Sequence, residues 1–522
     1  MMRRFAFAGA LALLVAGALA IRVPNLGDRP FHGDESVHAA KFRDIWERGE
    51  YIYDPYEFHG PTLYYAALPV AKALGREHWA DIGEADYRLA TVIVGTLLLL
   101  FLALMRDALG RRGALVCALL LALSPAFVYY SRHFIQETLL VAFTLGLFAC
   151  GWRWTRSGRL GWAIAAGASA GMMVATKETV VLTFAALCIA LAVVWFRQRA
   201  KRAVRPWRGH AALAAVTALV VAVTFLTGFF SNLAAPVDYL RSYLPWGMRA
   251  HATELHAHPW SYYLAMLLWT HRAPGPVWSE ALIVGLALAG GVACWRGASA
   301  MAPERAAFGR FMAVFTIAIT AIYSAIPYKT PWCVLTPLLG MVLLAGPGAL
   351  ALVAALPRRF LLRPVAVTIV AALTAQLGWQ AWRSSQQYAT DTRNPYVYAQ
   401  TMADVRGIVA RVEELAREHP DRMAMVVKVI SEDAYYWPLP WYLRRMHNVG
   451  YWTEMPETLD APVVIASPRF DEALTARLEA THLMTGFFVL RPHVLLQVWV
   501  DFPLWSRYVE KRSPRRPVRI GE

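Results

Sequence analysis

Long apolar runs separated by short polar connections dominate most of the chain. After an opening run over residues 1–21, segments long enough to cross a bilayer lie at about 87–105, 113–130, 134–152, 160–176, 179–196, 211–230, 278–295, 309–326, 332–356 and 362–382. This pattern predicts about eleven transmembrane helices, hence a mainly α, polytopic membrane protein. Beyond Ser384 the pattern becomes that of a soluble domain. Apolar residues near helical spacing from Tyr396 to Glu418 precede short β-rich runs at 423–430, 463–466, 487–490 and 494–500, which predicts a small α/β domain. The organisation expected is a transmembrane domain over 1–383, with a long first outer loop at 22–85, an α/β domain over 384–510 and a disordered basic tail over 511–522.

Composition sharpens this picture. The 522 residues are 57% hydrophobic and 17% charged, too apolar for an ordinary soluble protein. A net charge of +16 would suit nucleic acid, but the arginines sit in clusters between apolar runs and no basic patch lies on a soluble module, so nucleic acid is excluded as a partner. Arg106/Arg111/Arg112, Arg153/Arg156/Arg159, the stretch from Arg197 to Arg208, Arg296/Arg305/Arg310 and Arg358/Arg359/Arg363 fall on every second connection, the side of Arg3 and Arg4. The positive-inside rule makes that side cytoplasmic, in a plasma (inner) membrane, and makes the opening run an anchor rather than a cleaved signal. The remaining connections and the C-terminal domain then face the periplasm or cell exterior. Five cysteines scattered through apolar segments show neither disulfide nor metal spacing.

The outward connections hold the chemistry. In Phe31-His32-Gly33-Asp34-Glu35-Ser36-Val37-His38 two adjacent acids point different ways, so one can face a substrate while the other ties down the loop. A carboxylate there serves as a general base or ligates a divalent cation; the plainer alternative is a solvated pair. Arg132, His133 and Glu137 sit where a loop becomes a helix, with His133 and Glu137 four apart and expected on one face, either in a site or as a structural cap. Lys177-Glu178 is a charged pair between apolar runs, where charge is costly unless it serves a site or partner. Tyr328-Lys329, bracketed by Pro327 and Pro331, predicts broken backbone lining a cavity, with a lysine suited to phosphate; the alternative is snorkelling toward headgroups. His59 and Tyr64, beside Gly60-Pro61, are further candidates. The aromatic run Tyr435 to Arg444 reads as domain packing, with stacking on sugar rings or contact with the membrane surface as the alternatives.

Taken together, His32-Gly-Asp-Glu-Ser-Val-His38, Phe58-His-Gly-Pro-Thr-Leu-Tyr-Tyr65, Ser131-Arg-His133, Ile326-Pro-Tyr-Lys-Thr-Pro-Trp332 and Tyr436-Trp-Pro-Leu-Pro-Trp-Tyr-Leu-Arg444 resemble the GT-C glycosyltransferases. The likeness is to the protein O-mannosyltransferase and aminoarabinose transferase group, and within it to a prokaryotic flippase-activity-associated, dolichyl-phosphate-mannose mannosyltransferase-like subfamily. The resemblance implies a GT-C fold and inverting transfer of a sugar from a polyprenyl-phosphate donor to an acceptor (protein, lipid or glycan) on the outer side, among membrane lipids. It implies that Asp34 acts on the acceptor with Glu35 beside it. Lys329, with Arg132 or Lys177, would meet the lipid phosphate, Tyr328, His59 and Tyr64 would bind the substrate beside it, and His133, Glu137 and Glu178 would support the site. Some relatives bind a divalent metal near the acidic loop and others do without, so a cation on Asp34 and His32 stays open. Alternatives are a lipid-linked-sugar flippase or transport accessory, and a surface-glycan polymerase or ligase.

Overall fold

The computed structural model describes residues 2–56, 59–198, 207–250, 256–297, 302–357 and 361–512. Phe58, Arg358, Arg359 and the basic tail beyond 512 lie outside the described residues, as does most of the stretch from Arg197 to Arg208. The chain forms two compact units, one of Met1–Leu26, Asp44–Glu77 and Ala85–Tyr398, the other of Gly27–Arg43, His78–Glu84 and Ala399–Glu522.

The early helices are α1 (Met2–Arg22), α2 (Gly33–Arg48), α3 (Thr62–Ala73), α4 (Glu84–Leu104), α5 (Arg111–Leu123), α6 (Pro125–Ser131), α7 (Glu137–Ser157), α8 (Leu160–Val174) and α9 (Val180–Gln198). They continue with α10 (Trp207–Leu226), α11 (Ala235–Arg241), α12 (Tyr243–Ala250), α13 (Tyr262–Leu268), α14 (Ala281–Arg296), α15 (Pro303–Ala325), α16 (Leu335–Ala355) and α17 (Leu362–Trp382). A short hairpin, β1 (Thr270–His271) and β2 (Val277–Trp278), precedes α14. Every expected apolar run contains a helix. By length and composition α1, α4, α7, α10, α15, α16 and α17 can each cross a membrane, and α5 with α6 passes as one span bent by 58°. The remaining three, α8, α9 and α14, are shorter apolar helices. The bend follows from Pro125, which cannot donate to the preceding turn, while the Ser124 hydroxyl caps the new helix at Phe127 N–H.

Helix α16 is buried continuously from Leu335 to Gly346, as suits a segment apolar on all sides. It crosses α14 at backbone contact: a Cβ on Gly348 would lie 1.9 Å from the Leu286 carbonyl oxygen, so only glycine permits this approach. Leu121, Met312, Phe315, Ile283 and Leu339 fill the surrounding core.

The second unit carries a five-stranded mixed sheet in the order β4 (Asn448–Trp452), β3 (Val426–Ile430), β5 (Val463–Ala466), β7 (Val494–Asp501), β6 (His482–Arg491). Strand β3 runs parallel to β4 and β5, and β7 antiparallel to β5 and β6. Around it lie α18 (Asp404–Glu418), α19 (Leu439–Tyr442), α20 (Asp471–Leu478) and α21 (Phe502–Arg512). Val405, Ile408, Val412 and Leu415 form the buried stripe of α18, and Ile430, Val464, Leu474, Leu478 and Trp499 cluster on the sheet.

Two expectations need correction, and one strand went unforeseen. Residues 22–85 are not one loop, because α2 and α3 form within them. Helix α18 starts at Asp404 rather than Tyr396, since Tyr396 is held by tertiary hydrogen bonds to Glu280 and Tyr130. Strand β4 lacks an apolar run; Gly450 leaves space for the Trp452 ring, which an added Cβ would meet at 2.1 Å.

Candidate functional site

In the second unit the acidic stretch is the first turn of α2. Glu35 accepts from the His32 main-chain N–H at 2.9 Å, the reach-back of a capping box, and Ser36 Oγ donates to the Gly33 carbonyl. Glu35 is fully buried and ion-paired with Arg29 at 3.3 Å, and Arg29 also donates to Gln400, whose own amide donates to the Pro30 carbonyl. The Tyr442 hydroxyl accepts from Phe31 N–H and the Trp441 ring packs 4.6 Å from Phe31, so the aromatic run supports this turn. Asp34 is then left with an exposed side chain, 51% accessible. Its main-chain N–H donates to His32 Nδ1, and burial holds His32 below the usual imidazole range, so that nitrogen is an acceptor at neutral pH. Arg491 of β6 stands near Asp34 and donates to the Tyr435 carbonyl.

In the first unit a second ionic centre forms where α8 gives way to α9. Buried Lys177 is ion-paired with Glu137 at the start of α7; burial opposes its charge, but Glu137 outweighs that and holds the ammonium above its usual range. Glu178 faces the other way. His59 Nδ1 lies 2.5 Å from its carboxylate, Tyr53 donates to it, and the Tyr243 hydroxyl donates to its carbonyl. Burial pushes this carboxyl up, yet His59 and the Tyr53 hydroxyl together leave it below the usual carboxylate range. Gly60 permits the juxtaposition: an added Cβ would sit 2.0 Å from the Ala175 carbonyl oxygen. Thr62 and Thr176 bond across the same contact, and Trp246 of α12 stacks on His59 at 5.1 Å. Tyr64 is buried, its ring 5.9 Å from that of Tyr51, whose hydroxyl holds the His59 carbonyl.

Lys329 lies between α15 and α16, where the prolines do interrupt the helix. The freed backbone is satisfied by an adjacent strand-like segment: Lys329 N–H donates to the His256 carbonyl, His258 N–H to that of Pro327, and Tyr328 bridges Ala257. The Lys329 ammonium is buried and donates to the carbonyls of His258 and Ile326; among the described residues no carboxylate pairs with it. Burial lowers its pKa from the ordinary lysine value. Tyr328 packs its ring 5.1 Å from that of His256.

The structure brings His59, Tyr64, Lys177, Glu178 and Glu137 into one neighbourhood of the first unit. Arg132 instead donates to the carbonyls of Arg22, Pro24 and Asn25 at the end of α1. His133 and Glu137 do not share a helical face, because α7 begins only at Glu137; His133 Nδ1 lies 2.9 Å from the Tyr129 carbonyl. Sequence reasoning passes over Glu280, buried and bonded to Ser124 Oγ, Ala126 N–H and the Tyr396 hydroxyl. An acid opening an apolar run, the feature that marked Lys177-Glu178, would have found it. Among the described residues no three His, Cys, Asp or Glu side chains gather to hold a metal ion. Of the two residues expected to meet a cation, His32 has its Nδ1 taken by the Asp34 main-chain N–H.

Residues 13–233 match the family model described as dolichyl-phosphate-mannose-protein mannosyltransferase. No curated protein sequence matches the chain. Two solved structures of ArnT from Cupriavidus metallidurans are similar. The one bound to undecaprenyl phosphate has a TM-score of 0.64 at 17% identity, and the apo one 0.65 at 18%, each covering 94% of this chain and 98% of that one. The chain thus shares the fold of these ArnT structures over nearly its whole length and matches the mannosyltransferase family model over residues 13–233.

Proposed function

We propose that this enzyme transfers a sugar from a polyprenyl-phosphate-linked donor to an acceptor on the extracytoplasmic face of the membrane. The observation that carries the reading is Lys329. Among the described residues this buried ammonium is met by carbonyls and by no carboxylate; a buried cation requires a counter-charge, and a lipid phosphate supplies one. The bound undecaprenyl phosphate of the ArnT structure supports a carrier of that class. Lys177 is less suited to the task because Glu137 already matches its charge.

In the reaction the acceptor nucleophile attacks the anomeric carbon opposite the carrier. The bond from that carbon to the acceptor forms as the bond to the phosphate oxygen breaks, with inversion. Asp34 takes the acceptor proton, or orients it, from a turn that Glu35 and Arg29 hold fixed. Charge developing on the departing phosphate is stabilised by Lys329, where a fixed cation is most effective. The acidic and aromatic connections opposite the arginine-rich ones support the outward orientation.

The test is transfer of labelled sugar from a polyprenyl-phosphate donor in proteoliposomes. Asp34→Asn is expected to abolish transfer while eluting and melting like the parent. Full activity in that variant removes Asp34 from the mechanism, and carrier movement without transfer replaces the enzyme reading by a flippase.

A further inference from the structure

At the end of the helices that bears the arginine clusters, the α4–α5 connection, α14, α15 and the second half of α16 enclose a cavity of about 400 Å3. It is within the size range of ligand sites. Its walls are apolar, formed by Cys294, Phe308, Met312, Leu343, Pro347 and Leu350, and the charged side chain among its lining is Arg305. Leu350 is also 37% exposed on the outer surface of α16, so the cavity wall is continuous with a helix surface that faces lipid in a membrane-spanning segment.

The charge balance at the mouth decides what fits. The two nearby acids are already taken: Asp107 pairs with Arg153 at 3.3 Å and accepts from Trp152, and Glu304 pairs with Arg156 at 3.3 Å. Arg305 is anchored through Nε to the Asp107 carbonyl, and its two terminal nitrogens donate to no acceptor among the described residues. Gly110, in the left-handed region at φ 74°, keeps the backbone clear of the guanidinium; even a Cβ there would come within 3.4 Å of Nη1. Arg310 stands by, donating to the Cys294 carbonyl at the cavity wall.

We propose that this cavity is a binding site for an anionic phospholipid of the leaflet on the arginine-rich face, one acyl chain entering between α14, α15 and α16 and the phosphate resting on Arg305. An apolar chamber between spanning helices suits an acyl chain, a free planar guanidinium suits a phosphodiester, and basic pockets between such helices on the positive side attract anionic headgroups. This site is separate from the Lys329 and Lys177 centres, which lie on the opposite set of connections.

The full chain in phosphatidylcholine nanodiscs carrying increasing phosphatidylglycerol tests it, with bound lipid counted by native mass spectrometry after release. The parent is expected to retain phosphatidylglycerol over phosphatidylcholine. Arg305→Ala should weaken that preference about fivefold, the value of one cation at a lipid surface, and Arg305→Lys should restore much of it. Ala351→Phe, which fills the chamber, should reduce retention of both lipids with Arg305 intact. Arg112→Ala, a cluster residue outside the lining, should change nothing. Unaltered preference in Arg305→Ala, or unaltered retention of both lipids in Ala351→Phe, overturns the site. So does an equal loss in Arg112→Ala, which would mark a diffuse field, or displacement by polyprenyl phosphate at equal concentration, which would make this a carrier site.

Discussion

Two buried lysines of the first unit occupy similar positions in the chain, each in a short break between apolar helices, yet they are built differently. Lys177 has Glu137 as a counter-ion and its neighbour Glu178 has His59 and Tyr53. Among the described residues Lys329 has two main-chain carbonyls and no carboxylate. A balanced ion pair needs nothing further and fixes the ends of α7, α8 and α9 to one another. An unbalanced cation is a half-made interaction, and it is there that a ligand charge gains most.

Breaking the balanced centre gives the largest effect. Glu137→Gln leaves Lys177 charged and buried, and Lys177→Met does the same to Glu137; each is expected to cost about 3–5 kcal/mol of stability, read as a lowered thermal midpoint in detergent. The double variant Lys177→Met/Glu137→Leu should recover most of that loss. Failure of the double variant to recover would mean that the pair has a role beyond holding helices.

Lys329→Ala should act in the opposite way. Removing a cation that no described carboxylate pairs leaves the thermal midpoint nearly unchanged, while transfer falls by about 10²–10³-fold, the usual loss when one charge stabiliser is deleted. Because burial lowers its pKa, Lys329 loses its proton below the ordinary lysine value of 10.5. Transfer should therefore decline on the alkaline side earlier than an exposed lysine would allow, and Lys329→Arg should move that limb upward. A Lys329→Ala enzyme that melts early but transfers normally would place this lysine in the scaffold and return the phosphate to Lys177.

Gly60 tests whether the balanced centre depends on close backbone approach. Gly60→Ala forces a Cβ against the Ala175 carbonyl, so either the His59 segment or the turn before Lys177 must shift. The expected cost is about 1–3 kcal/mol, with weaker transfer, and Pro61 limits how far the segment can relax.

How far the sequence led is clearest at these same residues. Apolar run length marked every spanning segment, but the bend at Ser124-Pro125 lay unread inside the run 113–130. The proline bracket around Lys329 predicted broken backbone, which is what separates α15 from α16. Adjacency alone predicted that Asp34 and Glu35 would diverge, and one is exposed while the other is buried. What stayed hidden was pairing over long sequence separations: Arg29 with Gln400, Glu280 with Ser124, Arg491 near Asp34, His59 with Glu178. No local period encodes such contacts. That Arg132 donates to main-chain carbonyls stayed hidden for a related reason, since the open carbonyls that end α1 are invisible until that helix terminus is in place.

The smallest effect concerns Glu178 and follows from its competing influences. Burial favours the neutral acid, whereas His59 and Tyr53 favour the carboxylate, and the net result is a carboxyl held below its ordinary value of 4.5. The folded state therefore binds this proton less readily than the unfolded chain. Its contribution to stability is complete above the unfolded value and is lost as pH falls through the depressed folded value. Thermal midpoints of the parent and of Glu178→Gln should differ most near neutrality and converge in acid, since the amide cannot titrate. A difference that stays constant across that range would show that Glu178 acts through the geometry of its hydrogen bonds to His59 and Tyr53 and not through its charge. The contrast with Lys329 would then narrow to the Lys177–Glu137 pair alone.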